Sequence, residues 1–297
     1  MKTAYFTSRV VPLATIALAS QFSFVQAAEQ AAAGTAASVS TTPVATAPVG
    51  SAVKSVWASG LRAPQGMARD AVGNIYVAEY QGGQVSKFSP EGKPLGKVGG
   101  ELKNPAWVAF DGDTLYISER KANRVLKADA VGKVTVVDDN VIEPLGLAID
   151  NSGNPVVVAH TTSRLLRLGD NGKFASVYDA PTGKGKRYGY RCVAVDRDGS
   201  LLITDEAEGQ VLLLTPSGRL AVYARDLDDP TTVVFSPRGE VFVAEEGAGR
   251  ISRLNAQGEA TVVAEGLGKP RDIEFVDERT LLVSDQENGR VWKVVLP

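Results

Sequence analysis

Six short stretches decide how this chain folds: Ile75-Tyr76-Val77-Ala78-Glu79, Leu115-Tyr116-Ile117-Ser118-Glu119, Val156-Val157-Val158-Ala159-His160, Leu201-Leu202-Ile203-Thr204-Asp205, Val241-Phe242-Val243-Ala244-Glu245 and Leu281-Leu282-Val283-Ser284-Asp285. Their last residues lie 40, 41, 45, 40 and 40 positions apart. Each is followed by a short polar loop and a polar–apolar pair: Gln84-Val85, Arg124-Val125, Arg164-Leu165, Gln210-Val211, Arg250-Ile251 and Arg290-Val291. A glycine-containing or charged turn precedes each, such as Val72-Gly73-Asn74 or Asp198-Gly199-Ser200. Before that turn lies another apolar run, opened by Pro64, Pro105, Pro144, Pro230 or Pro270, with Tyr190 in the proline's place in the fourth repeat.

Short β-patterned runs separated by turn chemistry read as strands and hairpins. Four fit in each repeat; in the first they are Gly66–Arg69, Asn74–Glu79, Gln84–Phe88 and Pro94–Val98. A period near 40 residues with four strands predicts propeller blades. No window carries sustained i, i+3, i+4, i+7 apolar spacing, so helix is expected to be nearly absent. The fold expected is all-β: a six-bladed propeller with four antiparallel strands per blade. The blades fall at about 61–100, 101–140, 141–188, 189–227, 228–267 and 268–297.

The last repeat stops at its third strand. Ser55-Val56-Trp57-Ala58-Ser59-Gly60-Leu61 matches the outer strands Thr261-Val262-Val263-Ala264-Glu265-Gly266-Leu267 and Ala221-Val222-Tyr223-Ala224-Arg225-Asp226-Leu227. Residues 53–59 are therefore expected to complete the last blade and close the ring, with Trp57 packing at the seam. Closure covers a strand edge that would otherwise be open to pairing.

Residues 1–27 read as a secretory signal peptide: Lys2 and Arg9, an apolar Val10–Ser20, and a small-x-small Val25-Gln26-Ala27, with cleavage expected after Ala27. The apolar run is short for a bilayer span, and no cysteine follows it for a lipid anchor. Residues 28–52 are Ala, Thr, Ser, Pro, Val and Gly with Glu29 the lone charge, the composition of a disordered tether. A periplasmic or secreted protein without a stable membrane anchor is expected.

Of 297 residues, 32 are Lys or Arg and 34 Asp or Glu, and there is one histidine and one cysteine. The balance gives no basic footprint for nucleic acid. A lone Cys192 forms no internal disulfide and reads as a small buried hydrophobe, and a lone His160 excludes multi-histidine metal sites and leaves one candidate for any Ser–His–Asp chemistry.

The strings Pro64-Gln65-Gly66…Gly73-Asn74-Ile75-Tyr76-Val77-Ala78-Glu79 and Pro230…Gly239-Glu240-Val241-Phe242-Val243-Ala244-Glu245 resemble NHL repeats, and the resemblance covers residues 53–297. More loosely, the chain is similar to the gluconolactonase (senescence-marker-protein) family and to streptogramin-lyase-like propellers. The first of these implies a divalent cation that polarises a lactone carbonyl. Its ligands would come from a Glu two places before an opening proline and from Asn or Asp just after such prolines. Here those places hold Arg62, and Gln65, Ala106, Leu145, Arg191, Thr231 and Arg271. The pattern is unmatched, so neither a metal site nor another cofactor is expected. The second resemblance would need a histidine–glutamate acid/base arrangement for which His160 is the available imidazole.

In a propeller the residues after the prolines and the ends of the second strands gather at one face. The ring Glu79, Glu119, His160, Asp205, Glu245 and Asp285 reads for the most part as structural, each carboxylate pairing with the Arg or Gln five residues on. His160 departs from that pattern, with a loop one residue shorter; it is either an acid/base group or a histidine bonded to its own loop. The connection Asp179–Arg191 is longer than its equivalents and carries Lys184, Lys186, Arg187, Tyr188, Tyr190 and Arg191. With Arg271 it forms a candidate site for an anion, since guanidinium groups fork onto carboxylate or phosphate. The candidate ligand contacts are Arg191, Arg271, Tyr190, Gln65, Trp107, Thr231, Asp205 and Glu245, with His160 as candidate catalytic group. The function expected is binding of a small, anionic ligand or a protein partner at the mouth of a monomeric propeller. The alternatives are a lactone or ester hydrolase or lyase using His160, and a protein-interaction scaffold.

Overall fold

A computed structural model describes residues 52–180 and 189–297. The expected signal peptide, nearly all of the tether, and Lys184, Lys186, Arg187 and Tyr188 of the basic connection lie outside the described residues. The described chain forms six four-stranded sheets, each made of strands consecutive in sequence except the last. In the first blade the strands are Pro64–Arg69, Ile75–Glu79, Gln84–Phe88 and Pro94–Val98. The remaining structure is two single 3₁₀ turns, Arg120–Ala122 and His160–Thr162.

The ring closes as the repeat comparison predicts. Val53–Ser59 runs antiparallel to Arg290–Val295, from Val53 opposite Val295 to Ser59 opposite Arg290, with a bulge at Trp57. Trp57 packs on Phe88 with ring centroids 5.5 Å apart and donates its indole N–H to the Pro90 carbonyl at 3.1 Å. Lys54 reaches two blade-five carbonyls, Glu265 and Gly266, at 2.8 Å each. The closing strand therefore ties the first, fifth and sixth blades together.

The second strands are buried along their length in all six blades, with only Thr114, which opens the second blade's strand, partly exposed. Each lies within its sheet and is covered on both faces by neighbouring blades, which is why these strands read as continuous apolar runs rather than alternating ones. The core is divided accordingly into six clusters, centred on the successive blade-to-blade interfaces. Each fully buried Val, Leu or Ile in them contributes about 1.5–3 kcal/mol.

Backbone bonds stitch each blade to the next. The carbonyls of Gly83, Asn123, Ser163, Gly209, Gly249 and Gly289 accept from the N–H groups of Leu102, Val141, Ala180, Leu227, Leu267 and Leu61. All six acceptors have left-handed φ, between 51° and 64°, a region open to glycine and tolerated by Asn. At Gly289 an added Cβ would lie 2.3 Å from the Leu61 carbonyl oxygen, so both torsion and space require glycine at the closing seam.

The buried carboxylates form the second fastening. Each pairs with the long polar residue five places on: Glu79 with Gln84, Glu119 with Arg124, Asp205 with Gln210, Glu245 with Arg250 and Asp285 with Arg290. Each also accepts a backbone N–H from the segment leading into its own blade: Arg62, Lys103, Gly189, Asp228 and Lys269. The longer Glu side chains reach two places before the opening Pro64, Pro105 or Pro230. The Asp side chains reach one place before Tyr190 or Pro270. One side chain thus holds the top of the inner, second and third strands.

The third blade corrects the sequence alignment. Ala159, not His160, pairs with both Pro144 and Arg164, as Glu119 pairs with Pro105 and Arg124. The hairpin is of normal length, and the blade has lost its carboxylate. Arg164, left without that partner, pairs with the outer-strand Asp179.

Two outcomes follow from these fastenings. Removing residues 1–59 should lower Tm by at least about 5 °C, because 1 kcal/mol shifts Tm by about 2–4 °C in a domain of this size; an unchanged Tm would refute the closure. Glu245→Gln should cost about 2–3 kcal/mol at pH 7, the worth of hydrogen bonds to a charged group, read from urea unfolding. Burial raises the Glu245 pKa, but Arg250, the Asp228 N–H and Ser252 together bring it below its ordinary 4.5. A carboxyl whose pKa is lower folded than unfolded contributes stability above the unfolded value and loses it as pH falls through the folded one. The deficit of Glu245→Gln should therefore shrink below about pH 4.

Candidate functional site

The inner strands carry three layers of side chains down the axis. Gln65, Ala106, Leu145, Arg191, Thr231 and Arg271 form the layer at the proline-bearing face, and Gly66, Trp107, Gly146, Cys192, Thr232 and Asp272 the middle. The third layer is Ala68, Ala109, Ala148, Ala194, Val234 and Glu274. The middle layer closes the axis. Trp107 lies against Gly66, where a Cβ would meet the indole at 2.8 Å. Thr232 donates to Asp272 at 3.1 Å and lies 3.3 Å from the Cys192 sulfur. Cys192 is buried, as expected of a small hydrophobe, and burial with the nearby Asp272 charge pushes its thiol pKa up to about 12.

Above this floor the mouth is a charged arc. It is built from the residues just after the second strands, which in chain order are Tyr80, Arg120, His160, Glu206, Glu246 and Gln286. His160 belongs to this column. Its Nδ1 lies 2.8 Å from the Tyr190 carbonyl, an acceptor, so Nδ1 carries the proton and Nε2 is turned to Glu206 at 3.8 Å. Glu206 pairs with Arg191, and Arg191 lies 4.0 Å from Glu246. Glu246 takes the Arg271 guanidinium through both oxygens, at 2.8 and 2.6 Å, with Lys269 at 3.9 Å.

This crowding perturbs the groups involved. Burial raises the Glu246 pKa, with Arg271 and Arg191 opposing and Asp229 adding to the rise. Burial also raises Asp229, reinforced by Glu206 and opposed by Arg191 and Arg271. Burial and the like charge of Arg191 bring Arg271 down to about 10, which leaves it cationic at neutral pH. Two half-buried carboxyls with raised pKa thus stand beside two guanidiniums, a combination found both at functional sites and in structural ion-pair networks.

The sequence-level candidates divide in the structure. Arg191, Arg271 and His160 come together in the arc. Gln65 lies beneath it, buried, with an Oε1 that has no hydrogen-bond partner among the described residues. Trp107 floors the axis. Asp205 and Glu245 are sealed at 0% exposure within the fastenings described above and do not reach a ligand. Thr231 is equally sealed and donates to the Pro270 carbonyl at 3.0 Å. The Tyr190 ring packs in the core between blades three and four, and its carbonyl faces the His160 Nδ1. Glu206, Glu246, Asp229, Lys269 and Gln286 were missed at the sequence level. For Glu206, Glu246 and Gln286 the signal was the variable position after the second strand, where the six repeats carry Tyr, Arg, His, Glu, Glu and Gln; Asp229 and Lys269 stand just before the opening prolines Pro230 and Pro270.

The open space also differs from expectation, which placed the ligand beside repeats three and four. A cavity of about 490 Å³ lies at the mouth between blades six and one, with Arg62, Gln81, Lys269, Arg271, Gln286 and Glu287 in its wall. The Gln286 Oε1 and Arg271 Nε at its edge are buried without a hydrogen-bond partner among the described residues. A second cavity, also about 490 Å³, occupies the axis below Trp107 and opens on the opposite face. No helix among the described residues is long and apolar enough to cross a membrane.

The donor set does not fit the divalent cation that the gluconolactonase resemblance implies. The mouth carboxylates Glu206 and Glu246 face guanidiniums, and no group of three or more His, Cys, Asp or Glu among the described residues is placed to hold a metal ion. Calcium sites draw on six to eight oxygens.

Comparison with known proteins agrees with the architecture. Residues 33–121 match the family model described as SMP-30/Gluconolactonase/LRE-like region. A 6-deoxy-6-sulfogluconolactonase of Pseudomonas putida is 38% identical over 64 residues, 20% of this chain and 22% of that protein, so the match spans about a fifth of the relative's length. Virginiamycin B lyase from Staphylococcus aureus superposes with a TM-score of 0.63 at 14% identity, over 83% of this chain and 99% of that one. A Bacteroides thetaiotaomicron protein of unknown function gives a TM-score of 0.68 at 11% identity, over 82% and 76%. At such identities the likeness is one of fold. The chain is a six-bladed β-propeller, and its residues 33–121, which reach into the second blade, are similar to the SMP-30/Gluconolactonase/LRE-like region.

Proposed function

We propose that this chain is an exported propeller that binds a small, hydroxylated anion of the sugar-acid or sugar-lactone class at its mouth, in the cleft between blades six and one. The observation that carries this reading is the cleft's lining. Arg62, Lys269 and Arg271 bring three cations to a wall whose own acid is Glu287, with Glu246 behind it holding Arg271 and Lys269, and the Arg271 Nε and Gln286 Oε1 have no partner among the described residues. Buried polar atoms left unpaired call for water or ligand. Guanidinium and ammonium groups hold a carboxylate, sulfonate or phosphate, while Gln81 and Gln286 offer both donors and acceptors to hydroxyls. The partial sequence match to a protein named for a 6-deoxy-6-sulfogluconolactone, itself an anionic sugar lactone, accords with that preference. Export rests on residues 1–27 as read above.

A second reading makes the mouth hydrolytic at blades three and four, away from the cleft between blades six and one, and His160 supports it. With Nδ1 donating to the Tyr190 carbonyl, Nε2 is the nitrogen turned to Glu206, 3.8 Å away. It would accept a proton from a water as that water's oxygen bonds to the lactone carbonyl carbon. The ring C–O bond then breaks and the ring oxygen takes the proton, giving the hydroxy acid.

Isothermal titration with 6-phospho-D-gluconate, D-gluconate and D-glucose tests the binding reading. The two anions should bind and glucose should not, and Lys269→Ala with Arg62→Ala, both on exposed side chains, should weaken the anions at least tenfold. Equal binding of glucose, or anion binding untouched by these changes, would refute it. For the hydrolytic reading, His160→Ala should abolish glucono-lactone opening above the spontaneous rate while leaving 6-phospho-D-gluconate affinity within about threefold. Loss of neither, or of both together, would contradict the assigned role.

A further inference from the structure

The axial cavity below Trp107 is unrelated to the mouth. It is lined by the third layer of the inner strands and opens where the glycine turns gather. Five of its six axial positions are small and apolar: Ala68, Ala109, Ala148, Ala194 and Val234. The sixth is Glu274, two residues beyond Asp272 on the same strand. Strand alternation points both carboxyls to the axis.

The two acids are differently held. Asp272 is buried and fully engaged, accepting the Met67 N–H at 2.7 Å and the Thr232 hydroxyl at 3.1 Å. Glu274 has only Arg69, whose Nε stands 4.0 Å away, beyond hydrogen-bond reach, while its Nη1 donates to the Val276 carbonyl at 3.0 Å. The Glu274 side chain is 25% exposed, and that exposure is to the vestibule, since protein surrounds it on the other sides. Burial, then the Asp272 charge, raises its pKa to about 8, with Arg69 opposing. Burial raises Asp272 to about 7.

We propose that this vestibule is a second binding site, for a small protonated amine with an apolar body. Glu274 supplies the ionic contact, the alanine ring and the Trp107 floor receive the apolar part, and Arg69 marks the rim. The charge balance favours a cation once both acids are ionised, from about pH 8 upward: Asp272 and Glu274 then outnumber Arg69, and Cys192 stays neutral. A monovalent organic cation suits the site better than a hard metal ion, because Asp272 has both oxygens occupied and the remaining wall offers few further oxygens to fill a coordination shell. A carboxylate ligand is disfavoured by the two acids that it would face.

Isothermal titration at pH 8 with benzylamine hydrochloride, benzyl alcohol and sodium benzoate tests the proposal. Benzylammonium should bind at least tenfold more tightly than benzyl alcohol, and benzoate should not bind. Glu274→Gln, close in shape, should bring benzylammonium down to the level of benzyl alcohol. Ala194→Leu, or Ala109→Leu if the first unfolds, should block the vestibule and abolish both while Tm is kept, which places the ligand here and not at the acids of the mouth. Equal affinity for amine and alcohol, indifference to Glu274→Gln, binding that survives the blocking substitutions, or no benzylammonium binding at millimolar concentration would each overturn it.

Discussion

A single buried carboxylate at the end of the second strand, present in every blade but the third, sets the shape of the ring face. In five of six blades it holds a side chain from the third strand and a backbone N–H from the segment leading to the inner strand. Such a group is costly to bury alone and costly to remove once its partners have formed around it. It therefore acts less as a source of stability than as a constraint, fixing where three strands of a blade meet. The residue that follows is then turned to the mouth at a defined height. Glu206 and Glu246 take their places in the arc in this way, while His160 holds the same place in the blade where Ala159 stands for the acid.

The arc is also why the mouth is not an open tunnel. Arg191, Glu206, Glu246 and Arg271 neutralise one another above the Trp107 floor, and the free space moves sideways to the cleft beside Arg271. There the charges are less evenly matched, and unpaired polar atoms remain. Below the floor the surroundings change to alanines around one glutamate. The two ends of the axis thus differ in chemistry, cationic at the proline-bearing face and apolar with acids at the other.

Most of the fold was legible because its cause is local and repeated. Apolar second strands, glycine turns and opening prolines recur every 40 residues or so, and the match of residues 55–61 to two outer strands was enough to place the closing strand. The site was legible only where its chemistry departed from a repeated type. Arg191 and Arg271 stood out; Glu206 and Glu246 did not, because acids next to acids look like one polar loop until the hairpin register separates the sealed residue from the exposed one. His160 illustrates the same limit. Its alignment with the carboxylates was off by one because Ala159, which fills their place, has nothing to show that it has done so. Asp205, Glu245 and Thr231 were misplaced for the converse reason: facing direction at a bulged strand end depends on pairing that spacing alone does not define. Asp272 and Glu274 were visible as acids in an inner strand, but only the axial layering shows them sharing a cavity.

The account stands or falls on where an anionic sugar acid sits. A high-resolution crystal structure of the protein soaked with 6-phospho-D-gluconate measures this directly. The account predicts the phosphate or carboxylate in the cleft between blades six and one, in contact with Arg271 and Lys269, and hydroxyls on Gln286. A cleft holding only water, with the ligand bound elsewhere on the ring or not at all, would contradict it.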